Sequence, residues 1–219
     1  MGGLMVKILG KKRSQQDLIM ALFCIIYLVG IIGFFTPFLR AIWLPMSGLI
    51  LYLTTFGVIA SSKQKGKLTL FLFLAFCIGF TSEVIGVKTG ILFGDYSYGS
   101  NLGYKFSGVP IVIGLLWGGL AVSSASCLAQ FPTLKKQAPF LAALLMLGID
   151  YIMEPVAIAS GFWSWHGSDV PLWNYICWFA IAWILQIILK RGMFLESNKV
   201  FNLVFILLAV FFSLLNLYQ

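Results

Sequence analysis

Long apolar stretches separated by short polar segments run along the whole chain. Each stretch holds about 20 mostly apolar residues, the length that crosses the hydrocarbon core of a bilayer as an α-helix. The pattern predicts an all-α polytopic membrane helix bundle, formed by a single integral membrane domain over residues 1–219. The seven transmembrane helices are predicted at about 18–36, 41–60, 68–87, 108–129, 138–160, 171–189 and 199–218.

The composition agrees with this pattern and excludes several other classes of protein. Hydrophobic residues make up 60% of the chain and charged residues 10%, whereas a soluble domain has roughly 25% charged residues. The four cysteines lie in separate apolar segments, which argues against a disulfide scaffold. With a single histidine, no G-x-G-x-x-G fingerprint and no phosphate-binding loop, we expect neither a metal site nor a nicotinamide, flavin or nucleotide cofactor.

The chain has a net charge of +8, and the distribution of its basic residues indicates how it is oriented in the membrane. Twelve of the 15 Lys and Arg residues lie in segments that the predicted spans place on the same side of the membrane as the N-terminus, beginning with a cluster at 7–13. The other three, on the opposite side, are Arg40, Lys88 and Lys105. The positive-inside rule then predicts a cytoplasmic N-terminus and a C-terminus outside. We expect a multi-pass protein of the cell inner (cytoplasmic) membrane with no nucleic-acid partner.

The acidic residues converge on the predicted outer side of the membrane. Five of the seven lie there: Glu83 in the third span, Asp150 and Glu154 in the fifth, and Asp95 and Asp169 in the loops. The remaining two, Asp17 and Glu196, lie beside basic clusters and are expected to be solvated charges. A carboxylate in hydrocarbon costs roughly 2.5–3.5 kcal/mol on insertion scales, so it is rarely there without a task or a partner. The convergence predicts a functional site.

Asp150 and Glu154 are four residues apart and therefore lie on one helix face. Two close carboxyls in a dry environment do not both ionise readily, so one keeps the proton that a general acid requires. Pro155 removes a backbone donor and predicts a bend beside the pair. The alternative is a structural pair bonded to neighbouring helices. For Glu83, the alternatives are a functional acid and a polar tether between helices.

The loops on the same side carry aromatic and polar candidates. Asp95 either shapes its glycine-rich turn or has a catalytic or water-positioning role. Trp163 and Trp165 belong to an interfacial belt or stabilise a transient carbocation through their aromatic faces. The sequence leaves two alternatives for Asn174 and His166: a functional role, or that of an ordinary polar residue at the interface. The expected position of Trp173 and Trp178 is the interfacial belt.

Several of these motifs, in this order, resemble one known family. They are Glu83, Phe93-Gly-Asp-Tyr-Ser-Tyr98, Leu102-Gly103, Gly108-Val-Pro110, Asp150-x-x-x-Glu154-Pro155, Gly161-x-Trp163-x-Trp165, Pro171 and Asn174. The set resembles the membrane-bound carotenoid 1,2-hydratases of the CruF type over about residues 80–180. The chain departs from the family pattern at Glu154, where the family tends to have Asp, and at Tyr104, where it tends to have Pro.

The resemblance implies a cofactor-independent hydro-lyase that adds water to the terminal double bond of an acyclic carotenoid end, as in lycopene or gamma-carotene. Its expected partners are the carotenoid from the bilayer, water, membrane lipids and other carotenoid-pathway enzymes. Such an alkene has no polar handle, so an uncharged carboxylic acid must protonate it, and carboxylates and aromatic faces must hold the resulting cation until water attacks. The predicted catalytic residues are Glu83, Asp95, Asp150 and Glu154. The predicted substrate-binding residues are Tyr96, Tyr98, Trp117, Trp163, Trp165 and Asn174.

Three other functions remain open at this point. A lycopene cyclase-type isomerase uses the same protonated end group but captures the cation with an internal alkene. In a membrane prenyltransferase, Asp150-x-x-x-Glu154 would form half of a magnesium-diphosphate motif, with Glu83 and Asp95 as the only further acids nearby. A small proton-coupled transporter would use the acids as relays.

Overall fold

The computed structural model describes residues 14–167, 169–192 and 197–217, and in these ranges it contains seven helices long and apolar enough to cross a membrane. They are α1 (Gln15–Phe35), α2 (Pro37–Ser61), α3 (Lys65–Thr89), α4 (Ile111–Leu128), α5 (Ala138–Ala159), α6 (Leu172–Gly192) and α7 (Lys199–Asn216). The seven predicted spans are confirmed, and their ends differ from the observed ends by at most four residues. The basic cluster at 7–13, Glu196 and the end of the seventh predicted span lie outside the described residues. The orientation of the termini stays a prediction.

Local sequence signals explain where the first two helices begin. Ser14 caps α1, because its hydroxyl accepts from the backbone N–H of Asp17 at 3.2 Å and the Asp17 carboxylate accepts from the Ser14 N–H at 2.9 Å. Asp17, predicted to be only a solvated charge, therefore has a capping role. Thr36 alone separates α1 from α2, and Pro37 occupies the first turn of α2, where its missing N–H costs nothing.

Trp117 joins three helices in the core. Its indole, on α4, is fully buried and stacks on Trp178 of α6 with ring centroids 3.8 Å apart. On the other side it lies against Gly79 of α3, where an added Cβ would come within 2.4 Å of the indole ring. The absence of a side chain at this position lets α3 and α4 approach closely.

The two loops at the acid-bearing ends of α3 and α5 are paired with each other. Strand β1 (Tyr96–Tyr98) runs antiparallel to β4 (Trp163–Trp165), with Tyr96 opposite Trp165 and Tyr98 opposite Trp163. A second small sheet joins β2 (Lys105–Phe106) to β3 (Val109–Pro110). Since side chains alternate along a strand, the two tyrosines and the two tryptophans share one face of the β1–β4 sheet. That face covers the end of the helix bundle.

The pairing of β1 with β4 leaves no space for a side chain at Gly99. Its N–H donates to the Phe162 carbonyl at 2.8 Å, and an added Cβ would lie 1.9 Å from the Gly161 carbonyl oxygen. We expect Gly99→Ala to force β1 and β4 apart, because the clash is with backbone. The expected result is a lower unfolding temperature of the purified protein in detergent, measured by circular dichroism.

Gly119→Ala is the matched control, since a Cβ at this helical position meets nothing within 4 Å. Alanine is the better helix former by roughly 0.5–1 kcal/mol, so this change should leave the unfolding temperature equal or higher. Equal unfolding temperatures for both variants would contradict the account of Gly99.

Candidate active site

Three buried carboxyls from two helices border one small cavity. Glu83 lies on α3, and Asp150 and Glu154 lie one turn apart on α5; their exposed fractions are 2%, 1% and 3%. The cavity has a volume of about 20 Å³. About 10–15 Å³ suffices for one water molecule, so the space between the acids has room for a single water. In the described ranges, no group of three His, Cys, Asp or Glu side chains is placed to hold a metal ion.

Glu83 accepts three hydrogen bonds from aromatic side chains. Its Oε2 accepts from the hydroxyls of Tyr96 at 2.5 Å and Tyr98 at 2.8 Å, and its Oε1 accepts from the Trp117 indole N–H at 3.1 Å. Burial, and then the charge of Glu83, raises the pKa of both tyrosines above the usual value, so both hydroxyls keep their protons and act as donors. Three donors to one group favour its ionised form.

Glu154 accepts two hydrogen bonds, both at one oxygen. The indole N–H groups of Trp163 and Trp165 donate to its Oε1 at 2.7 Å and 2.5 Å. The two tryptophans were predicted as belt residues or cation-stabilising rings, and their bonds to a carboxylate were not foreseen. The two residues are in alternate positions of β4, so both indoles reach the same acid from the same face of the sheet.

Asp150 has the fewest hydrogen bonds of the three acids. Its Oδ2 accepts one long bond, 3.4 Å, from the side-chain amide of Asn174, and it has no other hydrogen-bond partner among the described residues. Asn174 is 2% exposed and comes from α6, so the amide approaches Asp150 from a third helix. The predicted site residue Asn174 therefore lies in the cavity wall.

Two aromatic residues of the site were not predicted. Phe93 is 1% exposed and packs edge-on against Tyr96 with ring centroids 6.2 Å apart. Trp178, expected in the interfacial belt, instead lines the cavity and stacks on Trp117. That expectation was wrong because Trp178 is four residues after Asn174 and so shares its inward face, a spacing that could have revealed it. Trp173 is half exposed, as a belt residue would be.

The structure does not bring Asp95 to the cavity. Its carboxylate is 76% exposed and lies 2.7 Å from Nδ1 of His166, whose backbone N–H also donates to the Asp95 carbonyl at 3.0 Å. The physical reason is strand alternation: Tyr96 and Tyr98 face the bundle, so Asp95 and Ser97 face away from it. Of the other nine predicted site residues, three are the buried acids themselves and six surround them, whereas Asp95 lies away from the cavity and ties the two loops together.

An apolar cleft adjoins the acid cavity. It has a volume of about 90 Å³ and lies among α1, α2, α4, α5 and α7. Ile113, Leu116, Met153 and Trp163 line both spaces, so these four side chains form the partition between them. The rest of the cleft is nearly all hydrocarbon and aromatic surface, including Trp43 and Ile50.

Comparison with known proteins identifies the family. The sequence profile described as "Carotenoid biosynthesis protein" matches residues 42–218. The chain belongs to this family. The match includes both acid-bearing helices and all four strands, and it confirms the resemblance that the motifs indicated.

One curated relative of this carotenoid biosynthesis protein is the bisanhydrobacterioruberin hydratase of Haloarcula japonica. The two are 29% identical over 118 residues, which cover 44% of this chain and 36% of the relative. The match thus spans about a third of the relative's length. No solved structure matches the chain.

Proposed function

We propose that this carotenoid biosynthesis protein is a hydratase that adds water to the terminal double bond of an acyclic carotenoid end group of the lycopene or gamma-carotene type. The observation that carries the proposal is a small cavity that is bordered by three buried carboxyls with unequal hydrogen bonding. The hydratase activity in the relative's name supports the same class of reaction.

Asp150 is the carboxyl best suited to protonate the alkene. A proton donor must be uncharged when the substrate arrives, and hydrogen bonds donated to a carboxylate oppose that state. Asp150 accepts one long bond, whereas Glu83 accepts three and Glu154 two. In the proposed step the O–H bond of Asp150 breaks, a C–H bond forms at the less substituted alkene carbon, and a tertiary cation remains on its neighbour.

Glu83 and Glu154 then stabilise the cation electrostatically. Fixed negative charge in a dry site stabilises a developing positive charge without reorganisation of solvent. The rings of Tyr96, Trp163 and Trp165 add aromatic faces at the same cavity, which attract a cation through the π-system. Water attacks the cationic carbon, a C–O bond forms, and the released proton passes to a carboxylate, so that the net change is the addition of one water.

The apolar cleft is the proposed position of the part of the polyene next to its reactive tip. It offers hydrocarbon and aromatic surface and meets the acid cavity at a four-residue partition. A polyene that enters such a cleft from the bilayer never passes through solvent, so close packing against this hydrocarbon and aromatic surface, and not removal from water, favours its binding. The reactive tip then reaches the acids when the partition side chains move aside.

Ser47→Phe tests this position of the polyene. Ser47 lies on α2 and lines the cleft, so a phenyl ring there occupies the space of the polyene without touching any of the three acids. We expect less carotenoid to copurify with the protein and a higher KM with little change in kcat, as for loss of uniform substrate binding. The measurements are the visible spectrum of the purified protein and initial rates in liposomes.

Leu49→Phe is the matched control on the same helix. Leu49 is 49% exposed and does not line the cleft, so the Leu49→Phe variant should bind as much carotenoid as the unmodified chain. Equal carotenoid content in the two variants would exclude the cleft as the polyene site.

The function itself is tested by expression in a bacterium that accumulates lycopene. Mass spectrometry of the extracted pigments should show a product heavier by one water, and growth in oxygen-labelled water should place the label in that product. An isomer of unchanged mass would instead indicate a cyclase. Unchanged lycopene beside correctly inserted protein would contradict hydration of this end group.

A further inference from the structure

Glu154 borders a second space besides the acid cavity. An open depression of about 600 Å³ lies on the outside of the bundle beside β4 and the adjoining ends of α5, α6 and α7. Of the residues that line the acid cavity, only Glu154 and Trp165 also line this depression. The barrier between the two spaces is therefore one layer of side chains.

The depression differs chemically from the apolar cleft on the other side of the cavity. Its lining includes the side chains of Tyr151, Tyr175, Ser164, Asp169 and Asn216, which carry hydroxyl, carboxylate and amide groups. The partition toward the cleft consists of Ile113, Leu116, Met153 and Trp163. The acid cavity thus lies between an almost wholly apolar space and one whose lining is a mixture of polar and apolar side chains.

The two oxygens of Glu154 are also unequal. Both indole N–H bonds go to Oε1, and no group of the described residues donates to Oε2. A carboxylate oxygen has lone pairs to spare, so Oε2 is able to accept a hydrogen bond from a water molecule. Trp163 and Trp165 hold the carboxylate in place while it does so.

We propose that water enters the acid cavity from the depression at Glu154, and that Glu154 is the carboxylate that orients this water and takes its proton. The inference rests on the proposed function, since it assigns the route and the base of that reaction. The polyene tip and the water then reach the cavity through different walls. As the C–O bond forms, one O–H bond of the water breaks and its proton binds Glu154, while Asp150 has already given its proton to carbon. Transfer of that proton from Glu154 to Asp150, one turn away on the same helix, restores the starting state.

The route is tested by chemical labelling, which needs no carotenoid. The protein in lipid nanodiscs is treated in mildly acidic buffer with a water-soluble carbodiimide and an amine nucleophile, and the modified residues are identified by mass spectrometry over time. We expect Glu154 to be modified several-fold faster than Asp150 and Glu83. Asp95, at 76% exposure, is the internal positive control.

Two glycine variants distinguish entry through the depression from slow leakage elsewhere. Gly167 lines the depression and a Cβ there meets nothing within 4 Å, so Gly167→Leu should fill part of the space and slow the labelling of Glu154. Gly66→Leu, equally free of contacts but at the start of α3, should leave the labelling unchanged.

Two results would overturn the inference: modification of Glu154 no faster than that of Glu83, or the same rate in Gly167→Leu as in the unmodified chain. Neither depends on whether lycopene is hydrated. A failed pigment assay with selective labelling of Glu154 would remove the proposed function and leave the water route in place. A positive pigment assay without selective labelling of Glu154 would support the proposed function and remove the water route.

Discussion

Asp150→Asn is expected to lower the hydration rate by about 10²–10⁴-fold, the range that a positioned general acid contributes. The amide has nearly the same shape and keeps the contact with Asn174, but it has no acidic proton to give to the alkene. Because an uncharged polar group replaces another in the same cavity, the variant should insert and fold. The measurement is the ratio of hydrated to unmodified carotenoid in lycopene-producing cells, normalised to the amount of protein in the membrane.

Asp95→Asn is the control for this experiment. Asp95 is exposed and faces away from the acid cavity, so its amide should keep the activity of the unmodified chain. Full activity in Asp150→Asn together with loss of activity in Glu154→Gln would transfer the role of acid to Glu154. Full activity in both variants would exclude the α5 pair from catalysis.

Glu83→Ala is expected to give the largest loss of stability. The substitution leaves the hydroxyls of Tyr96 and Tyr98 and the indole N–H of Trp117 without their acceptor. Each buried donor left unpaired costs about 1–3 kcal/mol, so the free energy of unfolding should fall by roughly 3 kcal/mol or more. The measurement is thermal or denaturant unfolding of the purified protein in detergent, followed by tryptophan fluorescence.

Glu83→Gln separates this hydrogen bonding from the loss of charge. The amide keeps one acceptor oxygen, and a tyrosine hydroxyl is able to accept from its NH₂ group. The Glu83→Gln variant should therefore lose clearly less stability than the Glu83→Ala variant. If the alanine variant unfolds at the same temperature as the unmodified chain, Glu83 does not hold the three aromatic side chains in place.

The three buried carboxyls have different proposed roles because their hydrogen bonds differ. Three carboxyls share one cavity, but aromatic donors converge on two of them and leave the third nearly bare. Strand pairing produces this difference, because the β1 tyrosines bond to Glu83 and the β4 tryptophans bond to Glu154. The small sheet at the end of the bundle is thus part of the proposed catalytic apparatus.

The sequence by itself determined the helices and the pairing of two acids. Apolar runs of membrane-spanning length predict seven helices directly, since a backbone in lipid must satisfy its own hydrogen bonds. The spacing of Asp150 and Glu154 places both on one face of α5 whatever surrounds them. These are local properties, and the structure agrees with them.

Only the tertiary structure decided which other residues join the acids. Tyr96 and Trp165 are far apart in the chain, and their pairing across β1 and β4 turns both inward while it turns Asp95 outward. The spacing of Trp178 from Asn174 gives it the inward face of α6, but its stacking on Trp117 depends on α6 packing beside α4. Contacts between distant segments depend on how whole helices and loops fit together, so no local pattern of residues contained them.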